Sequence, residues 1–286
     1  MGEFHQEPNV FVGEVVLKVE DLIRSITFYQ EMIGFSILEQ TGRKATLTAD
    51  GKTPLLTIEQ PTEVIQKQPR TTGLYHFALL LPSQADLGRV IQHLIDKRYP
   101  IQGASDHLVS EALYLADPDG NGIEIYADRP STTWDWNNKE VVMSSEPLDI
   151  QNLLVKAQGV AFDGLPKATL MGHIHLHVSE LEKTEEFYCK GLGFNLVNRY
   201  GRQALFISTG NYHHHIGLNT WNGQGAPRPA KDSVGLKSFT LIFPNEEARK
   251  IRIKQLESLK AIIVEENGFI FTEDPSGNRI RLHIVI

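Results

Sequence analysis

His76, Glu124 and His173 are two imidazoles and one carboxylate set in three separate runs of alternating apolar residues. On three strands of one curved sheet, such a set forms the facial triad that suits non-haem Fe(II). It grips one side of the ion and leaves positions open for substrate and dioxygen. Any one of these residues alone would carry little weight, because a single histidine in a strand is usually structural or solvated. A second cluster, His213-His214-His215, stands between Tyr212 and Ile216-Gly217-Leu218. An imidazole titrates near neutral pH, so any member of this cluster is able to carry a proton, although a surface histidine cluster is the plainer reading of such a run.

The elements that must position these groups are duplicated. Gly13-Glu14-Val15-Val16-Leu17-Lys18-Val19 returns as Gly172-His173-Ile174-His175-Leu176-His177-Val178, and at the same offset Phe28-Tyr29, Gly34-Phe35 and Gly42-Arg43 fall on Phe187-Tyr188, Gly193-Phe194 and Gly201-Arg202. A second pair of segments matches Tyr75-His76-Phe77-Ala78 with Lys237-Ser238-Phe239-Thr240. These end in Asp117-Pro118-Asp119-Gly120-Asn121 and Asp274-Pro275-Ser276-Gly277-Asn278. Self-similarity over such lengths means repeated structural units. Within it, Glu14 stands against His173, His76 against Ser238, and Glu124 against Arg281, so one copy of each pair has kept metal-ligand chemistry and the other has lost it.

Each of the four segments opens on an alternating strand, continues with an amphipathic helix and closes with further strands. The expected fold is therefore α+β: four βαβββ modules, over about 10–60, 71–129, 169–222 and 233–286, building two curled-sheet cavities of the incomplete-barrel kind. The first pair of modules occupies 10–129 and the second 169–286, with a polar connecting segment over 130–168 that holds Trp134, Trp136, Pro147, Pro166 and some helix around Ile150 to Gln158. Ser179 with Glu182, and Ser83 with Asp86, read as helix-capping patterns, and Asp21 and Asn245 as N-caps of the other two helices. Strand alternation puts Ile174, Leu176 and Val178 on the helix side and His173, His175 and His177 on the concave side. The same count sends Glu14, Lys18, His76, Ala78, Glu124 and Tyr126 to the concave face.

Composition bounds the function. The 286 residues are 41% hydrophobic and 22% charged, as in soluble globular proteins. No apolar run is long enough to cross a bilayer and the start lacks a signal-like segment, so a cytoplasmic location and no membrane partner are expected. A net charge of -7 without a basic cluster argues against nucleic acid. The single cysteine, Cys189, cannot form an internal disulfide and reads as a packing residue at a helix end. Homo-oligomer formation is left open.

Taken together, these motifs resemble the vicinal oxygen chelate superfamily, which includes glyoxalase I, fosfomycin-resistance proteins and the type I extradiol dioxygenases. The whole-chain pattern is most similar to the bacterial catechol 2,3-dioxygenases within it. In that family the metal ligands lie at the start of the first strand of two paired modules and on the last strand of one of them. The resemblance maps those slots onto Glu14, His76, His173 and Ser238 for first strands, and Glu124 and Arg281 for last strands. Pairing modules two and three assembles His76, Glu124 and His173, whereas one with two would give Glu14, His76 and Glu124, two carboxylates and one histidine, and three with four would give His173, Ser238 and Arg281, which cannot hold a cation. Modules one and four would then join Glu14, Ser238 and Arg281, where carboxylate and guanidinium are expected to neutralise each other.

The resemblance also implies roles. A family histidine three residues before a small residue acts as acid/base, which selects His214 ahead of Gly217. Strict alternation favours His215 and His213 instead, so a bulge is required for His214. Tyr114, ten residues before Glu124, matches a family tyrosine that hydrogen-bonds substrate or intermediate, and the loop at Asp106-His107-Leu108 resembles one that lines the pocket. The implied activity is Fe(II)-dependent extradiol cleavage of catechol or a substituted catechol, with a small aromatic diol and dioxygen as substrates and another divalent metal as the alternative cofactor. Two rivals remain. A glyoxalase-like isomerase or lyase would need a fourth ligand at Gly217, which has no side chain, and a non-catalytic aromatic-binding protein would need no triad.

Overall fold

The computed structural model describes residues 3–284. Module one comprises β1 (Phe11–Lys18), α1 (Leu22–Phe28), β2 (Ser36–Thr41), β3 (Lys44–Thr48) and β4 (Leu56–Glu59). Module two comprises β5 (Gly73–Leu81), α2 (Gln84–Asp96), β6 (Gly103–Asp106), β7 (Ser110–Ala116) and β8 (Gly122–Asp128). The connecting segment forms a small ribbon, β9 (Trp136–Asn137) with β10 (Glu140–Val141), and a helix, α3 (Ile150–Ala157). Module three runs through β11 (Leu170–His177), α4 (Glu182–Glu185), β12 (Asn195–Tyr200), β13 (Ala204–Ser208) and β14 (Ile216–Asn219). Module four follows as β15 (Gly235–Phe243), α5 (Glu246–Ser258), β16 (Ile263–Glu266), β17 (Phe269–Glu273) and β18 (Arg279–Ile284).

The α+β architecture is two eight-stranded sheets of duplicate order. One runs β12-β13-β14-β11-β5-β8-β7-β6 and the other β16-β17-β18-β15-β1-β4-β3-β2. In every module the first strand pairs parallel with the last, and the two modules of a sheet meet through antiparallel first strands, β5 with β11 and β1 with β15. Modules two and three thus share a sheet, as do one and four, which is the pairing that the ligand slots demand.

Alternation sorts the strand residues as the pattern predicts. Ile174, Leu176 and Val178 lie in one apolar cluster with Phe187 and Leu192, and that cluster continues into both sheets through Phe77, Leu79, Leu17 and Phe239. Burying each such aliphatic side chain stabilises the fold by roughly 1.5–3 kcal/mol. The concave faces are therefore the faces left for polar groups. The repeated tyrosines tie modules that are consecutive in sequence: Tyr29 donates to Asp117 at 2.8 Å and Tyr188 to Asp274 at 3.2 Å. Each aspartate belongs to an Asp-Pro-x-Gly-Asn turn, whose asparagine it also holds.

Ser83, Asp21 and Asn245 cap their helices by accepting backbone N–H groups three residues on. Ser179 does not. Its backbone N–H and hydroxyl turn to Ser276, and Glu180 instead accepts from the Lys183 N–H at 3.1 Å. The four-residue α4 widens into a π turn over Glu186–Gly191. Among the described residues no helix is long and apolar enough to cross a membrane.

Candidate metal centre and its pocket

The three sequence-predicted ligands meet at the centre of the sheet shared by modules two and three. His173 on β11 stands opposite Ala78 on β5, and Ala78 stands beside Glu124 on β8, so a methyl group separates two of the ligands along one row. His76 enters from β5 opposite His175. The Nε2 atoms of His76 and His173 lie 3.0 and 3.1 Å from Glu124 Oε2, and the three donor atoms lie within 4.8 Å of one another, all buried.

Electrostatics set the donor states. Burial alone would raise the Glu124 carboxyl, but the neighbouring imidazoles, His173 foremost, more than reverse this and hold it well below the usual carboxylate range. Burial takes His173 down to about 4 despite the Glu124 charge. At neutral pH the site is thus an ionised carboxylate beside a neutral imidazole. His76 Nε2, although close to Glu124, makes no aligned hydrogen bond and is a buried nitrogen without a partner. An unpartnered nitrogen, a second imidazole and one negative charge converging on one point fit a divalent cation.

Because a buried neutral histidine binds fewer protons than its unfolded counterpart, its stabilising effect is complete above the unfolded value of about 6.5 and is lost as pH falls. His173 alone should account for about 3 kcal/mol between pH 6.5 and 4, and His175, His214 and His215 act in the same direction because burial holds each well below 6.5. Chelator-treated protein should therefore unfold at clearly lower urea at pH 5 than at pH 7.5. Equal midpoints would contradict this account.

A cavity of about 360 Å³ opens over His76 and Glu124. Tyr75, Phe206 and Trp221 form an aromatic wall around His175, with Tyr75 and Trp221 ring centroids 5.2 Å apart. By alternation Tyr75 should face away from His76, but the pairing slips between His175/His76 and Leu176/Leu74, leaving Tyr75 as the extra residue of a bulge that turns it toward the pocket. The other sheet has the same slip at Lys237, which instead pairs with Glu59 at 2.6 Å. Gly217 faces His175, and a Cβ there would stand 2.7 Å from the His175 ring. The missing fourth ligand is thus the space that the His175 imidazole fills.

His213, His214 and His215 precede β14 in a bent segment, so strand alternation does not govern them. His214 lines the pocket, its ring centroid 4.1 Å from that of His173. His213 Nε2 is 2.8 Å from Asp128 Oδ1, and its Nδ1 is 2.8 Å from His214 Nδ1. His215, the residue favoured by alternation, turns away: its Nδ1 accepts from the Thr209 N–H and its Nε2 donates to the Phe4 carbonyl, under the N-terminal segment.

Tyr114 stands directly opposite Glu124 on β7 and lines the pocket. Burial, reinforced by the Glu124 charge, pushes its hydroxyl well above 10, so it keeps its proton. His107 Nδ1 can only donate to the Ser144 carbonyl, at 2.7 Å, so in the neutral ring its Nε2 accepts from Tyr114 OH at 2.5 Å. Ser144 and Met143 belong to the connecting segment, which therefore roofs the pocket rather than merely linking modules. Sequence reasoning missed Met143 and Ser144 because an irregular polar stretch carries no periodicity to place them, and it missed Asn198, which follows a slip in the pairing of β12 with β13.

In the sheet of modules one and four the vacated slots hold no triad. Glu14 accepts from Thr57 at 2.6 Å, and the Arg281 guanidinium lies 3.7 Å over the Phe269 ring. The expected Glu14–Arg281 contact pair is absent among the described residues. Burial lowers the Arg281 value and the Glu14 charge opposes this, so the two feel each other only at a distance.

Comparison with known proteins agrees with this geometry. The chain is 44% identical over 281 residues to the catechol-2,3-dioxygenase of Bacillus subtilis (strain 168), covering 97% of this chain and 98% of that one. It is 29% identical over 127 residues to biphenyl-2,3-diol 1,2-dioxygenase 3 of Rhodococcus globerulus, 42% of this chain and 65% of that one. The crystal structure of glyoxalase I from Zea mays superposes with a TM-score of 0.58 at 17% identity, over 96% of this chain and 92% of that one, a likeness of fold alone. The family model described as Glyoxalase/Bleomycin resistance protein/Dioxygenase superfamily matches residues 12–125 and 170–282, most of both halves, and the chain belongs to that superfamily.

Proposed function

We propose that the protein is an Fe(II)-dependent extradiol dioxygenase that cleaves the ring of catechol or a substituted catechol beside a hydroxyl-bearing carbon. The observation that carries this reading is the buried donor set of His76, Glu124 and His173, open on one side to a pocket with an imidazole and a phenol at its walls. The near full-length similarity to a catechol-2,3-dioxygenase supports it. Bound iron would supply Lewis acidity toward two adjacent substrate oxygens and a place for dioxygen.

The chain's own residues do the remainder. His214, kept neutral by burial and by the neighbouring histidine His173, has a lone pair with which to take a hydroxyl proton and later return it. Tyr114 OH, held by His107, fixes the reacting oxygens from the opposite wall. Tyr75, Phe206 and Trp221 give the ring an apolar slot and exclude water. Gly217 leaves the donor set at three, which disfavours a four-ligand isomerase.

The test is oxygen uptake by Fe(II)-reconstituted protein over a catechol panel, with the yellow ring-fission product followed in parallel. Both signals should appear together, and an iron-loaded protein that consumes no oxygen with any catechol would overturn the reading. The pocket lining contains no Lys or Arg. Catechols with apolar ring substituents should therefore show kcat/KM at least about 10-fold above those bearing a carboxylate, whose charge would be buried beside Glu124 without a partner. Equal values for the two classes would count against this assignment of the ring slot.

A further inference from the structure

Behind His214 runs a chain of hydrogen bonds that the proton-transfer role does not by itself explain. Asp128 ends β8 on the face that also carries Glu124 and Tyr126, four and two residues earlier. Its Oδ1 takes His213 Nε2 at 2.8 Å and the Tyr212 hydroxyl at 3.3 Å, and Tyr212 in turn meets Tyr126 OH at 2.7 Å. His213 is fully buried, and its Nδ1 is 2.8 Å from His214 Nδ1.

A carboxylate only accepts, so His213 must donate Nε2–H to Asp128, and in the neutral ring its Nδ1 is then bare. One proton must lie between the two Nδ1 atoms, and His214 has to supply it. With its single proton on Nδ1, His214 has a bare Nε2, the only nitrogen of the ring left for the pocket. A neutral histidine side chain in water prefers the opposite tautomer, with the proton on Nε2. Which ring nitrogen is protonated is decided by the hydrogen bond that the other makes.

We infer that Asp128 and His213 are positioning residues that lock His214 as the Nδ1–H tautomer, leaving Nε2 as a ready proton acceptor facing the substrate. The inference rests on the reading above of His214 as the ring that exchanges a proton with the catechol. Without the relay, His214 would revert to the tautomer that presents N–H to the hydroxyl it has to deprotonate.

The tautomer can be read without turnover. Two-bond proton–nitrogen correlation spectra of ¹⁵N-histidine-labelled, metal-free protein should show His214 protonated at Nδ1 in the wild type and at Nε2 in Asp128→Ala and His213→Leu. In the iron-loaded enzymes, both variants should lose roughly 10–100-fold in kcat, the size of effect that outer-shell hydrogen-bond partners carry, with iron content and KM for catechol little changed. His213→Asn, whose amide oxygen can occupy the place of Nδ1, should recover most of the His213→Leu loss. A wild-type His214 protonated at Nε2, or unchanged kcat in both Asp128→Ala and His213→Leu, would overturn the relay. A wild-type enzyme that leaves catechols untouched would instead overturn the functional reading, and the spectra would still decide the tautomer.

Discussion

His76→Ala is expected to leave a folded protein that no longer retains iron stoichiometrically and shows only background oxygen uptake with catechols. The three donors come from three strands, and no other described His, Cys, Asp or Glu groups gather three donor atoms in this way. Losing one leaves a carboxylate and one imidazole, too few to hold the ion against dissociation. Since removing even an outer-shell partner commonly costs 10–100-fold in metal affinity or activity, loss of a ligand should exceed about 100-fold. Glu14→Ala is the control: Glu14 holds in the other sheet the strand position that His173 holds in this one, and it accepts from Thr57. Iron stoichiometry should be unchanged there. Full iron content and activity in His76→Ala would sink the assignment, as would iron lost from Glu14→Ala but kept by His76→Ala.

The duplication explains why this candidate centre was legible in the sequence. Alternating strands fix which side chains share a face, and a repeat makes equivalent positions comparable within one chain, so retained and lost ligands identify both the site and the modules that must meet there. The same logic failed where regular structure ends. Alternation pointed to His215, yet the histidines precede β14 in a bent segment, and only the family register pointed to His214. Tyr75 escaped because one inserted residue reverses its direction. Met143 and Ser144 escaped because a connecting segment without periodicity gives no sign of what it covers. The Glu14–Arg281 pair failed for another reason: long side chains choose among neighbours, and a threonine hydroxyl and an aromatic face were closer to hand. Asp128 and His213 escaped as a pair, because their contact depends on the bend that precedes β14.

His214→Phe should separate proton transfer from metal binding. The phenyl ring preserves the shape packed against His173 and Phe206, and His214 is not among the three donors, so iron content and catechol KM should stay close to wild type. What disappears is the nitrogen that takes the hydroxyl proton. A positioned general acid–base typically contributes about 10²–10⁴-fold, and the kcat loss should fall in that range. His215→Phe removes a ring of the same kind one residue away, whose nitrogens serve Thr209 N–H and the Phe4 carbonyl. That loss should appear as about 1–3 kcal/mol of stability, the cost of stranding buried backbone groups, with kcat nearly intact. Steady-state oxygen uptake with iron quantified in each preparation, beside urea unfolding of both variants, distinguishes the two. Full turnover in His214→Phe would remove it from the chemistry. A larger kcat loss in His215→Phe than in His214→Phe would return the role to the residue that simple alternation favoured.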